Sequence, residues 1–190
     1  MAGKVKEVLT VNNYVALLRG INVGGNKKVS MPVLKSMFES MGFGGVRTYI
    51  NSGNVVFGAA DGVSSSRAFV GGIEREIEKT FGFPVDVVVR SADDLERILT
   101  ANPFAAEGEP SGLHLHVGFM RGVPAQPGID KIAAFVNERD EFRIVGEEIY
   151  VVFRNGMRDS KLGNNLPKIG VPVTLRNWNT TARLAEMAQQ

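Results

Sequence analysis

Apolar positions along the chain fall into short continuous runs separated by stretches of helical spacing. Tyr14, Val15, Ala16, Leu17 and Leu18 form a run that reads as a strand over Asn13–Arg19, closed by Gly20. A Gly/Asn/Lys-rich loop follows. Ser30 is a candidate N-cap, with Pro32 tolerated in the first helical turn. Val33, Leu34, Met37, Phe38 and Met41 then lie on one helical face, ended by Gly42, Gly44 and Gly45. Two strands are predicted at Val46–Ile50 and Asn54–Phe57, with only Asn51, Ser52 and Gly53 between them, a hairpin signal. Ser64 or Ser65 can cap a second helix carrying Phe69, Ile73, Ile77 and Phe81 on one face. Gly71 and Gly72 weaken that helix by about 1 kcal/mol each relative to Ala, so a close packing contact is expected there. Pro84–Arg90 reads as the next strand.

The order strand, helix, strand, strand, helix, strand is the ferredoxin-like one. Ser91 with Asp94 three residues on predicts a short capped helix, and Asn102–Ser111 reads as a linker. The order then repeats. Strands are predicted at Leu113–Met120, Phe142–Val145, Ile149–Phe153 and Val173–Arg176, and helices at Ile129–Val136, Ser160–Ile169 and Thr180–Ala188. The predicted fold is therefore α+β, two ferredoxin-like (βαββαβ) halves packed together with a C-terminal helix. The divisions are 13–91, a connecting helix and linker over 92–111, and 112–190. Each half is near the size at which a lone core is marginal, which is why packing together is expected. No residue-level repeat is visible between the halves.

Composition adds exclusions. The 190 residues are 44% hydrophobic and 22% charged, a globular balance, with a net charge of only +2. That charge does not by itself imply nucleic-acid binding. No cysteine is present, so disulfides, thiol nucleophiles and thiolate metal sites are excluded. No run approaches the ~20 apolar residues of a membrane span, and the first ten residues lack a signal-peptide core. The expected location is cytoplasmic, with no membrane partner.

In the ferredoxin-like topology the loop after the first strand and the hairpin between the second and third share one sheet edge. Arg19, Asn22, Gly24, Gly25, Asn26, Lys27 and Lys28 are thereby brought toward Asn51, Ser52, Gly53 and Asn54, and the first helix starts there. Glycines, amides, cations and a helix N-terminus suit an anion. Gly20 to Gly25 has phosphate-loop spacing, but Asn26, Lys27 and Lys28 stand where Lys-Ser/Thr would touch phosphate and magnesium, so NTP hydrolysis is not predicted. The competing reading is that the glycines only turn a tight loop while the asparagines bond to backbone.

A second polar group runs through Arg154, Asn155, Arg158, Ser160, Lys161, Asn164 and Asn165 to Arg176, Asn177, Trp178, Asn179 and Thr180, with Ser160, Lys161 and Arg176–Asn179 the candidate ligand-binding residues. Trp178 can stack on a ring or base, or it can anchor the last helix with Asn177 or Asn179 as cap. His114 and His116 alternate along one strand but lack further ligands, so no metal site is predicted. No cofactor is expected.

The strings Tyr14–Lys27 (YVALLRGINVGGNK), Arg47–Phe57 (RTYINSGNVVF), Ser160–Leu162 (SKL) and Arg176–Thr180 (RNWNT) closely resemble the bacterial domain-of-unknown-function family 1697. The resemblance runs from about Asn13 to Ala188. It implies two ferredoxin-like halves and no established activity, so it assigns no catalytic residues. Three functions compete. The first is a binding module for a phosphorylated small molecule or nucleic acid. The second is an enzyme on a phosphorylated or other anionic substrate, with Arg19, Lys27, Lys161 or Arg176 clamping charge. It lacks an identifiable base or nucleophile. The third is a protein-interaction module using the same edge.

Overall fold

A computed structural model describes residues 11–60, 66–107 and 114–190. The serines at 64 and 65, the lead-in before residue 11 and the linker at 108–113 lie outside these. Among the described residues the chain is α+β, with two four-stranded antiparallel sheets and six α-helices.

The first sheet contains β1 (Val11–Leu18), β2 (Gly44–Tyr49), β3 (Asn54–Ala60) and β4 (Val87–Ser91), in the order β2-β3-β1-β4. Helices α1 (Met31–Ser40) and α2 (Val70–Phe81) join its strands, and α3 (Ala92–Thr100) follows. The second sheet contains β5 (Leu115–Met120), β6 (Asp140–Val145), β7 (Glu148–Phe153) and β8 (Val173–Asn177), in the matching order β6-β7-β5-β8. Its helices are α4 (Gln126–Ala133), α5 (Lys161–Asn165) with a 3-10 turn at Leu166–Ile169, and finally α6 (Trp178–Ala188).

The two-residue period of each central strand sorts its side chains between two layers. Tyr14, Ala16 and Leu18 pack outward on α1 and α2, while Val15 and Leu17 face a central core. Leu115, Val117 and Phe119 of β5 enter that same central core, with Leu95 and Ile98 of α3 and Leu184 and Ala185 of α6. Met120, Ile149, Val151 and Phe153 pack instead on Ile132, Leu162, Leu166 and Ile169. Both strands β1 and β5 are thus buried on both faces, which is why they read as continuous apolar runs.

Three details differ from the sequence reading. Val33 is 46% exposed, because Leu34, Met37 and Phe38 suffice to cover the sheet. Gly71 and Gly72 mark no close approach: a Cβ on Gly72 would only meet Met41 Cε at 3.8 Å. The start of the linker is not loose, since Phe104 is 1% exposed in the central core and its amide donates to Asn102 Oδ1 at 3.0 Å.

The halves also repeat at residue level, through backbone position rather than sequence identity. The Leu18 amide donates to Gly53 O at 2.8 Å, and the Met120 amide donates to Glu147 O at 2.9 Å. Leu17 pairs with Asn54 as Phe119 pairs with Glu148. Tyr14 pairs with Ser91 as His116 pairs with Asn177. Ser91 and Asn177 each cap the helix that follows, accepting from the Asp94 and Thr180 amides.

Candidate functional site

The loop after β1 and the β2–β3 hairpin meet. The Asn22 side chain is the pin: its Nδ2 donates to Val29 O at 3.0 Å and to Asn51 O at 2.9 Å, and its Oδ1 accepts from the Val29 amide at 2.9 Å. One amide therefore closes its own loop and fastens it to the hairpin. Among the described residues, non-glycine residues with positive φ are confined to this edge: Asn22 (55°), Lys27 (47°) and Ile50 (49°). Asn tolerates this region and a β-branched residue does not, so the strain sits at Ile50. Gly53 (φ 80°) has no alternative, since a Cβ there would lie 2.7 Å from Ile21 Cδ1 and Leu18 Cβ.

Beneath the hairpin, Asn54 is fully buried. Its Nδ2 donates to Tyr49 O and to Ser52 Oγ, at 2.9 and 3.0 Å. Its Oδ1 accepts from Nε of Arg176, which comes from β8 of the other half, at 2.5 Å. The same guanidinium donates to Leu18 O at 2.9 Å, Ser52 O at 2.8 Å and Leu175 O at 2.8 Å. Every one of these acceptors is neutral, and burial pushes the Arg176 pKa down to about 10. Arg176 thus joins the first polar group, a placement that sequence spacing did not show.

The other predicted cations divide. Arg19 is paired with Asp86 at 3.0 Å, and Lys27 donates to Pro84 O at 2.7 Å. Lys28 has no polar partner among the described residues. It lines a cleft of about 470 Å³ with Asn22, Gly25, Ser30, Met31 and Asn51. Ser30 caps α1 by backbone position only and makes no side-chain bond to the helix, so the first-turn amides have no side-chain cap. Gly24 and Asn26 are exposed in the same loop, whose tip is closed by the Asn26 amide on Val23 O at 3.2 Å.

The remaining predicted residues have structural partners or none that bear on this edge's bonds. Buried Ser160 donates to Asp140 Oδ2 at 2.8 Å and accepts from the Gly163 amide at 2.8 Å, while Lys161 opens the short α5. Asn177 Oδ1 accepts from the Thr180 amide at 2.8 Å, Trp178 packs half-buried on the central core, and Asn179 is exposed. His116 lies against the Phe153 ring at 5.2 Å, and burial lowers its pKa below the usual histidine range.

Arg90 was not singled out by sequence, being one arginine at the end of an apolar strand. It occupies the place in β4 that Arg176 occupies in β8. Its Nε donates to Glu148 Oε1 at 2.8 Å, its Nη1 to Val89 O at 3.1 Å and its Nη2 to Met120 O at 2.8 Å. Each half therefore inserts one buried arginine under the hairpin of the other. The Arg90 side rests on a carboxylate, and the Arg176 side rests on an amide.

The class so defined is a two-sheet α+β protein with a pinned polar edge. The family described as Protein of unknown function (DUF1697) matches residues 11–150, and the chain belongs to it. Among solved structures, the chain is similar to the conserved bacterial protein SP0830 from Streptococcus pneumoniae. The two share 21% identity at a TM-score of 0.72, over 94% of this chain and 99% of that one. That likeness is one of fold. No curated protein matches the chain. No helix among the described residues is long and apolar enough to cross a membrane.

Proposed function

We propose that this protein is a binding module for an anionic ligand, a phosphorylated small molecule or a nucleic-acid backbone, taken up at the edge formed by Arg19–Lys28 and Asn51–Asn54. Two ferredoxin-like halves carry it, a reading supported by the shared order β2-β3-β1-β4 and β6-β7-β5-β8 with every pairing antiparallel. The observation that carries the binding reading is the cleft beside α1. Its wall is fixed by Asn22, and it is lined by Lys28, which has no polar partner among the described residues, and by the start of α1, which has no side-chain cap. Amides at a helix start and an adjacent ammonium favour negative charge.

Thermal-shift titration with inorganic phosphate, nucleotides, sugar phosphates and short RNAs tests this. A saturable rise in Tm is expected, lost in Lys28→Ala and in Ser30→Asp. The second variant supplies its own anion to the α1 amides, so it should raise basal Tm while removing the response. A nucleic-acid ligand would show affinity falling steeply with salt. No response to any of these ligands would overturn the reading.

A further inference from the structure

The matched positions of the two halves expose a second cleft, away from the α1 edge. Ser91 and Asn177 are equivalent caps, which makes Ala101 the counterpart of Met187. Val145 pairs with Glu148 as Tyr49 pairs with Asn54, which makes Val145 the counterpart of Tyr49. In one half Tyr49 and Met187 pack into the central core. In the other, small Ala101 and Val145 leave a cleft of about 420 Å³ between α3 and the β6–β7 hairpin, within the range of small-ligand sites.

Ile98, Ala101, Val145 and the ring of Tyr150, whose hydroxyl is already spent on Ile98 O at 2.8 Å, give this cleft an apolar stretch beside the buried Arg90–Glu148 pair. Two arginines stand out on its rim. Arg97 on α3 and Arg67 before α2 have side chains 66% and 60% exposed, whereas their partners Asp94 and Glu147 are 23% and 26% exposed. A guanidinium has five N–H donors in a fork that fits a carboxylate. Arg97 gives one of them to Asp94, at 2.8 Å. Overall the charge of the cleft balances, Arg67, Arg90 and Arg97 against Asp94, Glu147 and Glu148, which disfavours ligands of high charge. We propose that this cleft is a binding site for a small monocarboxylate with a short apolar body, its carboxylate on Arg97 and Arg67 and its chain over Ala101 and Val145.

The test is an amide-resolved NMR titration of the whole chain with straight-chain carboxylates from propionate to hexanoate. Butyramide and inorganic phosphate serve as controls. The carboxylates should shift the amide signals of 97–101 and 145–148 and saturate. Butyramide should bind at least about tenfold more weakly, the equivalent of one lost charge-assisted contact. Val145→Tyr and Ala101→Met rebuild the filled arrangement of the other half and should abolish the response, as should Arg97→Gln. Val145 lies exposed on a hairpin, so its variant tests the site even if Ala101→Met perturbs the fold. No response to the carboxylates, an equal response to butyramide, or a response that survives both filling variants would overturn the proposal. Phosphate reports separately on the α1 edge, because its shifts would fall at 22–31 and leave 97–101 unmoved.

Discussion

The two halves share strand order, register and helix caps, yet they solve the same burial problem with different chemistry. Under the β6–β7 hairpin the inserted arginine, Arg90, meets the buried carboxylate of Glu148. Under the β2–β3 hairpin its counterpart Arg176 meets the amide of Asn54 and backbone carbonyls only. The connection after the central strand differs too. From β5 it runs directly from Arg121 to Ala125, whereas from β1 it spans Arg19 to Ser30 and carries the Gly/Asn/Lys edge. One half is built like a closed joint, while the other keeps positive charge and open amides at its hairpin edge.

The largest expected effect comes from removing each clamp. Arg90→Met strands the Glu148 carboxylate in the interior and should cost about 3–5 kcal/mol in urea unfolding. Arg176→Met leaves only neutral acceptors and removes a charge with no counter-ion among the described residues, so it should cost less, about 1–3 kcal/mol. Equal costs would break the distinction between the two junctions.

The next effect concerns packing. Gly118 on β5 is the counterpart of Ala16 on β1, and a Cβ there would lie 2.5 Å from Ile149 Cγ2 and 2.7 Å from Val173 Cγ1. Gly118→Ala should therefore destabilise by about 1–3 kcal/mol through overpacking, although Ala is the residue the first half uses. A neutral result would mean that the second sheet relaxes as freely as the first.

The Thr174 hydroxyl of β8 is buried without a hydrogen-bond partner among the described residues. Thr174→Val should raise stability by about 0.5–1 kcal/mol, measured by thermal unfolding, because it removes a buried polar group left unsatisfied.

The smallest effect distinguishes His116 from its counterpart Tyr14. Burial depresses the imidazolium pKa in the folded state, so the unfolded chain binds more protons near the ordinary histidine pKa. Stability should be full above that value and decline as pH falls below it. His116→Phe, which restores an aromatic like Tyr14, should flatten that part of the stability–pH curve.

Much of the architecture was legible in the chain. The runs at Tyr14–Leu18 and Leu113–Met120, the helical face of Ile73 and Ile77, and the Ser91–Asp94 capping box predict their elements, because period and cap chemistry are local properties. The meeting of the Asn22 loop with the Asn51 hairpin followed from strand order alone, and the Asn22 bonds to Asn51 and Val29 give that meeting its geometry. Trp178 and Asn177 stood open between stacking and capping. The cap on Thr180 and the half-buried ring on the central core account for what both do within the fold.

What the sequence determined, then, is the elements, their order and the address of a polar edge, since each depends on residues a few positions apart. Tertiary structure alone decided that Arg176 lies under Asn54, across 122 positions of chain, and that Arg90 mirrors it on Glu148. It also decided that Ala101 and Val145 line a cleft, whereas their counterparts Met187 and Tyr49 pack on the central core. The physical reason is that periodicity tells which face a side chain takes. Which surface that face meets, and whether the meeting is filled or open, depends on the volumes and charges of residues brought together only by packing the two halves.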